Sequence, residues 1–236
     1  MITEHFFPTR ESLFAALLEQ CREQLGAALA GGRQASLLVS GGSTPQPLYE
    51  QLSEQLLDWQ RVTVALVDER WVDVDDPASN QTFIANTLLR NRAAAATFVA
   101  MKSAEATAVA GVASAEQRYR QLPRPFDLTL LGMGADGHTA SLFPKAQGLT
   151  AALHPNGDAL CVAIEAIASE VTGALTERMT LSLSGLLQSR RLVLLISGEQ
   201  KLAVYQRARD SADVALTPVS AVLQQDRVPV DVYWAP

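Results

Sequence analysis

The chain has 236 residues, 48% hydrophobic and 19% charged, with a formal net charge of -6 at pH 7. This composition is ordinary for a globular domain, and the absence of a basic stripe argues against a nucleic acid partner. No apolar run approaches the roughly 20 residues of a membrane span, and the N-terminus lacks signal-peptide features. We expect one domain over residues 1–236, in the cytoplasm, as a monomer or homodimer.

Short apolar runs alternate with helical patterns along the chain. The predicted strands are 35–40, 62–67, 126–131, 160–164, 191–197 and 230–234. The predicted helices lie at 13–29, from Pro45 to Leu56, and at 80–89, 104–121, 181–187 and 199–208. Several strands lack polar alternation, which is typical of strands covered on both faces. The sequence therefore predicts an α/β fold with a mostly parallel sheet and helices on both faces.

Ligands bind beyond the carboxyl ends of parallel strands, so the loops that leave each strand matter most. The first is SGGSTPQPLY, in which Gly41 and Gly42 allow a tight bend and Ser43 and Thr44 supply hydroxyls. A helix is predicted to begin at Pro45, with Thr44 as its N-cap. This pattern predicts a phosphate or carboxylate site, although a simple glycine turn with a threonine cap would fit the same sequence. No G-K-[ST] follows, so it is not a P-loop.

Charged residues end the second strand in DERWVDVDDPASN. Asp68 and Glu69 fit a paired acid/base or metal site, or a solvated strand end neutralised by Arg70. Arg70 is expected near the first loop, where a guanidinium can clamp a phosphate. A further acidic group is interpreted as solvated surface, without the glycine turn and distal glutamate of a calcium loop: Asp73, Asp75 and Asp76.

The segment LLGMGADGHTASLFP, residues 130–144, contains a G-x-G-x-x-G pattern after an apolar strand. That pattern is typical of dinucleotide-binding folds, and Glu165 stands where a ribose-binding acid is expected. A nucleotide site also needs a long helix after the third glycine, yet Pro144 ends the segment and the motif lies past the middle of the chain. We therefore expect no nucleotide here.

The same glycines would expose Asp136 and His138 at the carboxyl end of the strand. A histidine beside a carboxylate is suited to general base catalysis, because its pKa lies near neutral pH and the acid orients the ring. A structural loop histidine is the alternative. Arg178 and Lys201 are ordinary surface cations unless both converge on the first loop. Cofactors and metals are not predicted, and Cys21 and Cys161 are interpreted as buried, unreactive thiols.

Taken together, these segments resemble a known family. SGGSTP, DERWV…SN, DLTLLGMGADGHTASLFP, RMTLSL and GEQK occur in the order found in 6-phosphogluconolactonases of the bacterial and eukaryotic cytosolic type, within the sugar-phosphate isomerase/deaminase superfamily. The resemblance runs from about residue 35 onward. It implies a Rossmann-like α/β fold without a nucleotide site. It also implies hydrolysis of 6-phospho-D-glucono-1,5-lactone to 6-phosphogluconate, the second step of the oxidative pentose phosphate pathway.

By motif match, the resemblance implies that His138 is the general base and Asp136 its partner. It implies a phosphate site formed by a glycine loop and basic side chains: Gly41, Gly42, Ser43, Thr44, Arg70, Arg178 and Lys201. One departure concerns the proline pair that often precedes the arginine of the R-[IVM]-T segment. Here Leu175, Thr176 and Glu177 precede Arg178, so the resemblance carries less weight for that arginine.

Two other functions fit part of the pattern. Glucosamine-6-phosphate deaminases share the D-G-H core but place a glutamate a few residues after the histidine, where this chain has TASLFP. A non-catalytic sugar-phosphate sensor would keep the anion loop and the cations without needing Asp136 and His138. A covalent serine mechanism is not indicated, because G-x-S-x-G is absent.

Overall fold

Ten strands and eight α-helices make up the fold in the computed structural model, which describes residues 1–211 and 213–236. The strands are β1 (Ile2–Phe6), β2 (Ala35–Val39), β3 (Val62–Leu66), β4 (Asp68–Arg70), β5 (Thr97–Val99), β6 (Leu128–Gly132), β7 (Cys161–Glu165), β8 (Glu177–Leu181), β9 (Leu192–Ser197) and β10 (Val230–Ala235). The helices are α1 (Arg10–Ala30), α2 (Gln46–Ser53), α3 (Asn80–Thr87), α4 (Ala108–Arg120), α5 (Leu149–Ala152), α6 (Leu183–Leu186), α7 (Glu199–Ser211) and α8 (Val219–Leu223).

Seven strands form the main sheet, in the order β1-β10-β9-β6-β2-β3-β5, with every neighbouring pair parallel. The chain moves outward from β2 through β3 to β5, and then returns to β6 and moves outward in the other direction. The winding therefore reverses between β2 and β6. In open α/β sheets such a reversal leaves a crevice at the carboxyl ends of the two central strands, which is where ligands bind.

The predicted α/β fold, with a mostly parallel sheet flanked by helices, is confirmed. All five residues of β2 are buried, as expected for a strand covered on both faces. The leucine repeat of α1 packs into the core through Leu13, Leu17 and Leu25. Cys21 lies on the same helix face, and both cysteines are free and buried; burial raises the pKa of the Cys21 thiol to about 12. No helix among the described residues is both long and apolar enough to cross a bilayer.

A second, antiparallel sheet joins β4, β8 and β7. This corrects two predictions. The 160–164 run is a strand, but it pairs in the small sheet rather than in the parallel one. The predicted 181–187 helix is also too long, because Leu181 ends β8 and only the short α6 follows. Strand β8 was missed because its residues, ERMTL, mix charged and apolar side chains in an order that matches neither the alternation of a strand nor the repeat of a helix.

Glu69 connects the small sheet to α3. Its side chain is fully buried and accepts hydrogen bonds from the backbone N–H groups of Asn80 (2.7 Å), Gln81 (2.8 Å) and Arg70 (2.8 Å), and from the Ser79 hydroxyl (3.2 Å). A carboxylate at a helix N-terminus satisfies amides that have no partner within the helix. Glu69 is therefore a structural acceptor rather than one half of an acid/base pair or metal site.

Glu69→Ala should lower the free energy of unfolding by about 3 kcal/mol, because it leaves several buried donors without an acceptor. Urea denaturation followed by circular dichroism measures the change. Glu54→Ala, at an exposed glutamate after α2, is the matched control and should unfold like the parent protein. Equal midpoints for the two variants would contradict the structural role of Glu69.

Candidate active site

A cavity of about 370 Å³ opens where the loops after β2 and β6 diverge. Its walls bring together eight of the nine residues that the resemblance implies for the site: Gly41, Gly42, Ser43, Thr44, Arg70, His138, Arg178 and Lys201. The ninth, Asp136, lies directly behind His138. Arg178 and Lys201 thus meet the condition set for them, since both converge on the first loop.

The first loop leaves β2 and leads into α2. Pro45 occupies the N-cap position of α2 and provides no side-chain cap, so the prediction that Thr44 is the N-cap is wrong. The consequence is chemical, because the Thr44 hydroxyl is not used by the helix. Ser43 is exposed and Thr44 half-buried, and both face the cavity. Hydroxyls and loop amides before a helix N-terminus form a suitable site for an anion.

His138 and Asp136 form a tightly bonded pair in the loop after β6. Nδ1 of His138 lies 2.6 Å from Oδ1 of Asp136, and the same oxygen accepts the backbone N–H of His138 at 3.1 Å. Burial raises the pKa of Asp136, but the hydrogen bonds and the attraction of His138 outweigh it and leave the pKa below its usual value. An ionised Asp136 holds the proton on Nδ1, which leaves Nε2 of His138 as the free acceptor.

Gly134 makes room for this pair. A methyl group at Gly134 would overlap Nδ1 and Cε1 of His138 and lie 2.6 Å from Oδ1 of Asp136. The loop is closed by the Gly134 N–H, which donates to the His138 carbonyl at 3.0 Å. The imidazole of His138 also packs against the Phe143 ring, with ring centroids 4.2 Å apart. The close approach of the histidine ring therefore explains why a glycine stands at position 134.

Arg70 and Arg178 are direct neighbours across β4 and β8. Arg178 is buried, and it donates to the carbonyls of Leu175 (2.9 Å) and Thr172 (3.1 Å). Burial lowers the pKa of Arg178, and the charge of Arg70 adds to this effect, while the carboxylates of Asp68 and Glu69 oppose it. Two guanidinium groups side by side on one wall repel each other, so an anion bound between them is favoured.

Lys201 approaches the cavity from the first turn of α7. Burial lowers its pKa, while the negative charge of Asp136 opposes that shift. Among the described residues, Nζ of Lys201 has neither a hydrogen-bond partner nor an ion pair. The amine therefore points a desolvated positive charge into the space between the loop 41–44 and the histidine.

Other residues of the wall were either left open by the sequence, as Asp68 was, or missed. Asp68 lines the cavity, where its Oδ2 accepts the Ser141 hydroxyl at 2.6 Å, although its neighbour Glu69 does not. Asn80, Phe143 and Val171 also line the cavity. The S-N pair after the second strand was the available signal for Asn80. Among the described residues, no group of His, Cys, Asp and Glu is arranged to hold a metal ion.

Comparison with known proteins identifies the family. A family model described as glucosamine-6-phosphate isomerases/6-phosphogluconolactonase matches residues 8–234. The chain belongs to this family. Among curated members, the 6-phosphogluconolactonase of Rhizobium meliloti is 41% identical over 98% of both chains. That of Pseudomonas putida is 37% identical over 98% of this chain and 92% of its own.

Solved structures of family members agree in fold. A 6-phosphogluconolactonase from Shewanella baltica has a TM-score of 0.92 at 44% identity and covers 100% of this chain and 98% of its own. A monomeric glucosamine-6-phosphate deaminase has a TM-score of 0.75 at 19% identity, over 98% of this chain and 96% of its own, which shows the shared fold alone. The same fold thus occurs in a lactonase and in a deaminase, so the site residues must distinguish the two activities.

Gly134→Ala should break the His138–Asp136 pair while leaving the fold intact, because the added methyl overlaps the ring. Nitrogen-15 NMR of the imidazole measures this: the protonated Nδ1 signal of His138 should disappear or shift. Gly132→Ala is the matched control, because a methyl there meets only the Ser40 hydroxyl, at 4.0 Å. An unchanged His138 spectrum in Gly134→Ala would mean that the loop can hold the pair in another way.

Proposed function

We propose that the protein hydrolyses 6-phospho-D-glucono-1,5-lactone to 6-phospho-D-gluconate. The observation that carries this proposal is a single cavity in which His138, oriented by Asp136, faces the loop 41–44 and basic side chains. The curated relatives that match nearly the whole chain are named 6-phosphogluconolactonase, which supports the same activity. Its place as the second step of the oxidative pentose phosphate pathway and its cytoplasmic location stay predictions.

The substrate phosphate binds first in this proposal. Loop amides and the hydroxyls of Ser43 and Thr44 surround it, and Arg70, Arg178 and Lys201 supply the positive charge. Binding energy from a phosphate remote from the reacting carbon orients the lactone, so that its carbonyl lies beside the imidazole. The cost of burying Arg178 and Lys201 is offset when the anion arrives.

His138 then acts as the general base. Because Nδ1 carries the proton shared with Asp136, Nε2 accepts a proton from the water that attacks C1 of the lactone. The oxyanion that forms is stabilised by nearby N–H donors or a cation. As the ring C–O bond breaks, protonated His138 returns the proton to the leaving ring oxygen. Water supplies both the hydroxyl on the new carboxyl carbon and the proton, so no covalent enzyme intermediate forms.

His138→Asn should lower kcat for lactone hydrolysis by about 10² to 10⁴-fold, the usual contribution of a general base, while the affinity for 6-phosphogluconate changes little. Lactone generated in situ and followed by its disappearance, corrected for spontaneous opening, measures kcat. His154→Asn, at an exposed histidine outside the cavity, is the matched control. Near-normal turnover in His138→Asn would overturn the assignment of the base.

Lys201→Met should raise KM for the phosphorylated lactone at least about tenfold, because it removes a desolvated charge from the anion site. Hydrolysis of glucono-1,5-lactone, which lacks the phosphate, should be far less affected. The ratio of kcat/KM for the two lactones measures the effect. A ratio that Lys201→Met leaves unchanged would remove Lys201 from the phosphate site.

Glucosamine-6-phosphate deamination is the competing activity, because the family includes it and Asp68 places a carboxylate on the cavity wall. The segment after His138 argues against it, since residues 139–144, TASLFP, contain no acid where deaminases place a glutamate. Ammonia release from glucosamine 6-phosphate, measured beside lactone loss, separates the two. If neither activity is detected, a non-catalytic sugar-phosphate sensor is favoured.

A further inference from the structure

Asn80 is a buried polar residue on the cavity wall that the proposed chemistry does not use. It is the first residue of α3, and 2% of its surface is exposed. Its side-chain amide, Nδ2, donates to the Asp68 carbonyl at 2.9 Å. This bond fixes the orientation of the carboxamide, since a flipped group would place its oxygen against another oxygen.

The carboxamide oxygen, by contrast, has no donor. Oδ1 of Asn80 is buried and unpartnered among the described residues. It lies against Gly41, where an added methyl group would overlap both Oδ1 and Cγ of Asn80 and approach Nδ2 to 3.1 Å. A buried acceptor without a partner costs free energy, so its persistence beside the phosphate loop calls for an explanation.

Helix capping does not explain it. The Ser79 hydroxyl caps α3 by accepting the Thr82 N–H at 3.3 Å, and Glu69 accepts the N–H groups of Asn80 and Gln81. The start of α3 is therefore satisfied without the Asn80 side chain. The Asn80 side chain instead fills the space between β4 and the glycine loop. It contacts Asp68 on one side and Gly41 on the other.

We propose that Asn80 is a positioning residue that sets the spacing between the glycine loop and the strand that carries Arg70. Its carboxamide is a rigid spacer between the two halves of the phosphate site, and its oxygen is the acceptor that a loop N–H meets when an anion tightens the loop. This inference rests on the proposed phosphate site. It predicts that Asn80 affects phosphate affinity through Gly41 without touching the reacting carbon.

The test compares Asn80→Ala with the parent protein on the phosphorylated lactone, on glucono-1,5-lactone and in inhibition by inorganic phosphate. We expect KM for the phosphorylated lactone and the inhibition constant of phosphate both to rise at least about tenfold, with kcat and the activity on glucono-1,5-lactone within about threefold. Asn86→Ala, at an exposed asparagine of the same helix, is the matched control and should change none of these.

A double-mutant cycle separates positioning from general structure. Gly41→Ala should weaken phosphate binding because its methyl overlaps Asn80, and Gly41→Ala with Asn80→Ala should bind phosphate no more weakly than Asn80→Ala alone. Effects that multiply independently would overturn the inference, because Asn80 would then not act through Gly41. If Asn80→Ala does not fold, Asn80→Ser is measured in its place by the same ratios.

The outcomes also separate this inference from the proposed function. A parent protein that handles both lactones equally and is not inhibited by phosphate would overturn the phosphate site and this inference with it. A parent protein that prefers the phosphorylated lactone, with Asn80 variants that keep the full preference, would overturn the role of Asn80 and leave the proposed function standing.

Discussion

The reversal of winding between β2 and β6 is the constraint on which the rest of the site depends. Because the chain leaves these two adjacent strands in opposite directions, no connection covers their carboxyl ends. The glycine loop and the histidine loop are attached to those two ends, so they face each other across the gap. The small antiparallel sheet then closes one side with Arg70 and Arg178 in register.

Charge in this protein is local rather than global. The chain carries a net charge of -6, yet basic side chains from three separate segments meet in one cavity. Burial rather than overall field makes them effective, since a desolvated guanidinium or amine gains more from an incoming anion than a hydrated one. The fold thereby separates two tasks: strands β4 and β8 hold the arginines, and the Asp136 carboxylate fixes the histidine in the loop after β6.

Much of the fold could be predicted from sequence because its central strands are continuous apolar runs. The predictions for β2, β3 and β6 match within two residues, whereas β1 and β5 at the sheet edges were missed. β1 has exposed polar positions and β5 only three residues, so neither has a readable period. The sheet to which 160–164 belongs depends on long-range pairing, which local pattern does not encode.

The site residues could be predicted from sequence where they lie in the loops that follow the central strands. Glycines, hydroxyls and the D-G-H sequence indicated the loops that line the cavity, whereas the convergence of Arg178 and Lys201 on the first loop stayed open until the fold placed both in the same cavity wall. Asn80 and Glu69 show the limit of this reasoning. Both lie in the same polar segment, DERWVDVDDPASN, in which local sequence does not distinguish a structural residue from a site residue. The packing of α3 places the Glu69 carboxylate among backbone amides and the Asn80 side chain against Gly41.

The pairing of β1 with β10 bears on how the molecule forms. Ile2 is in register with Val230, so the first described strand in chain order pairs in the main sheet with the last described one, and β10 in turn separates β1 from β9. During synthesis, residues 2–6 have no place in the sheet until 230–235 have left the ribosome. Such distant contacts favour slow, late closure of the sheet, after the central strands and the cavity loops that they carry have come together.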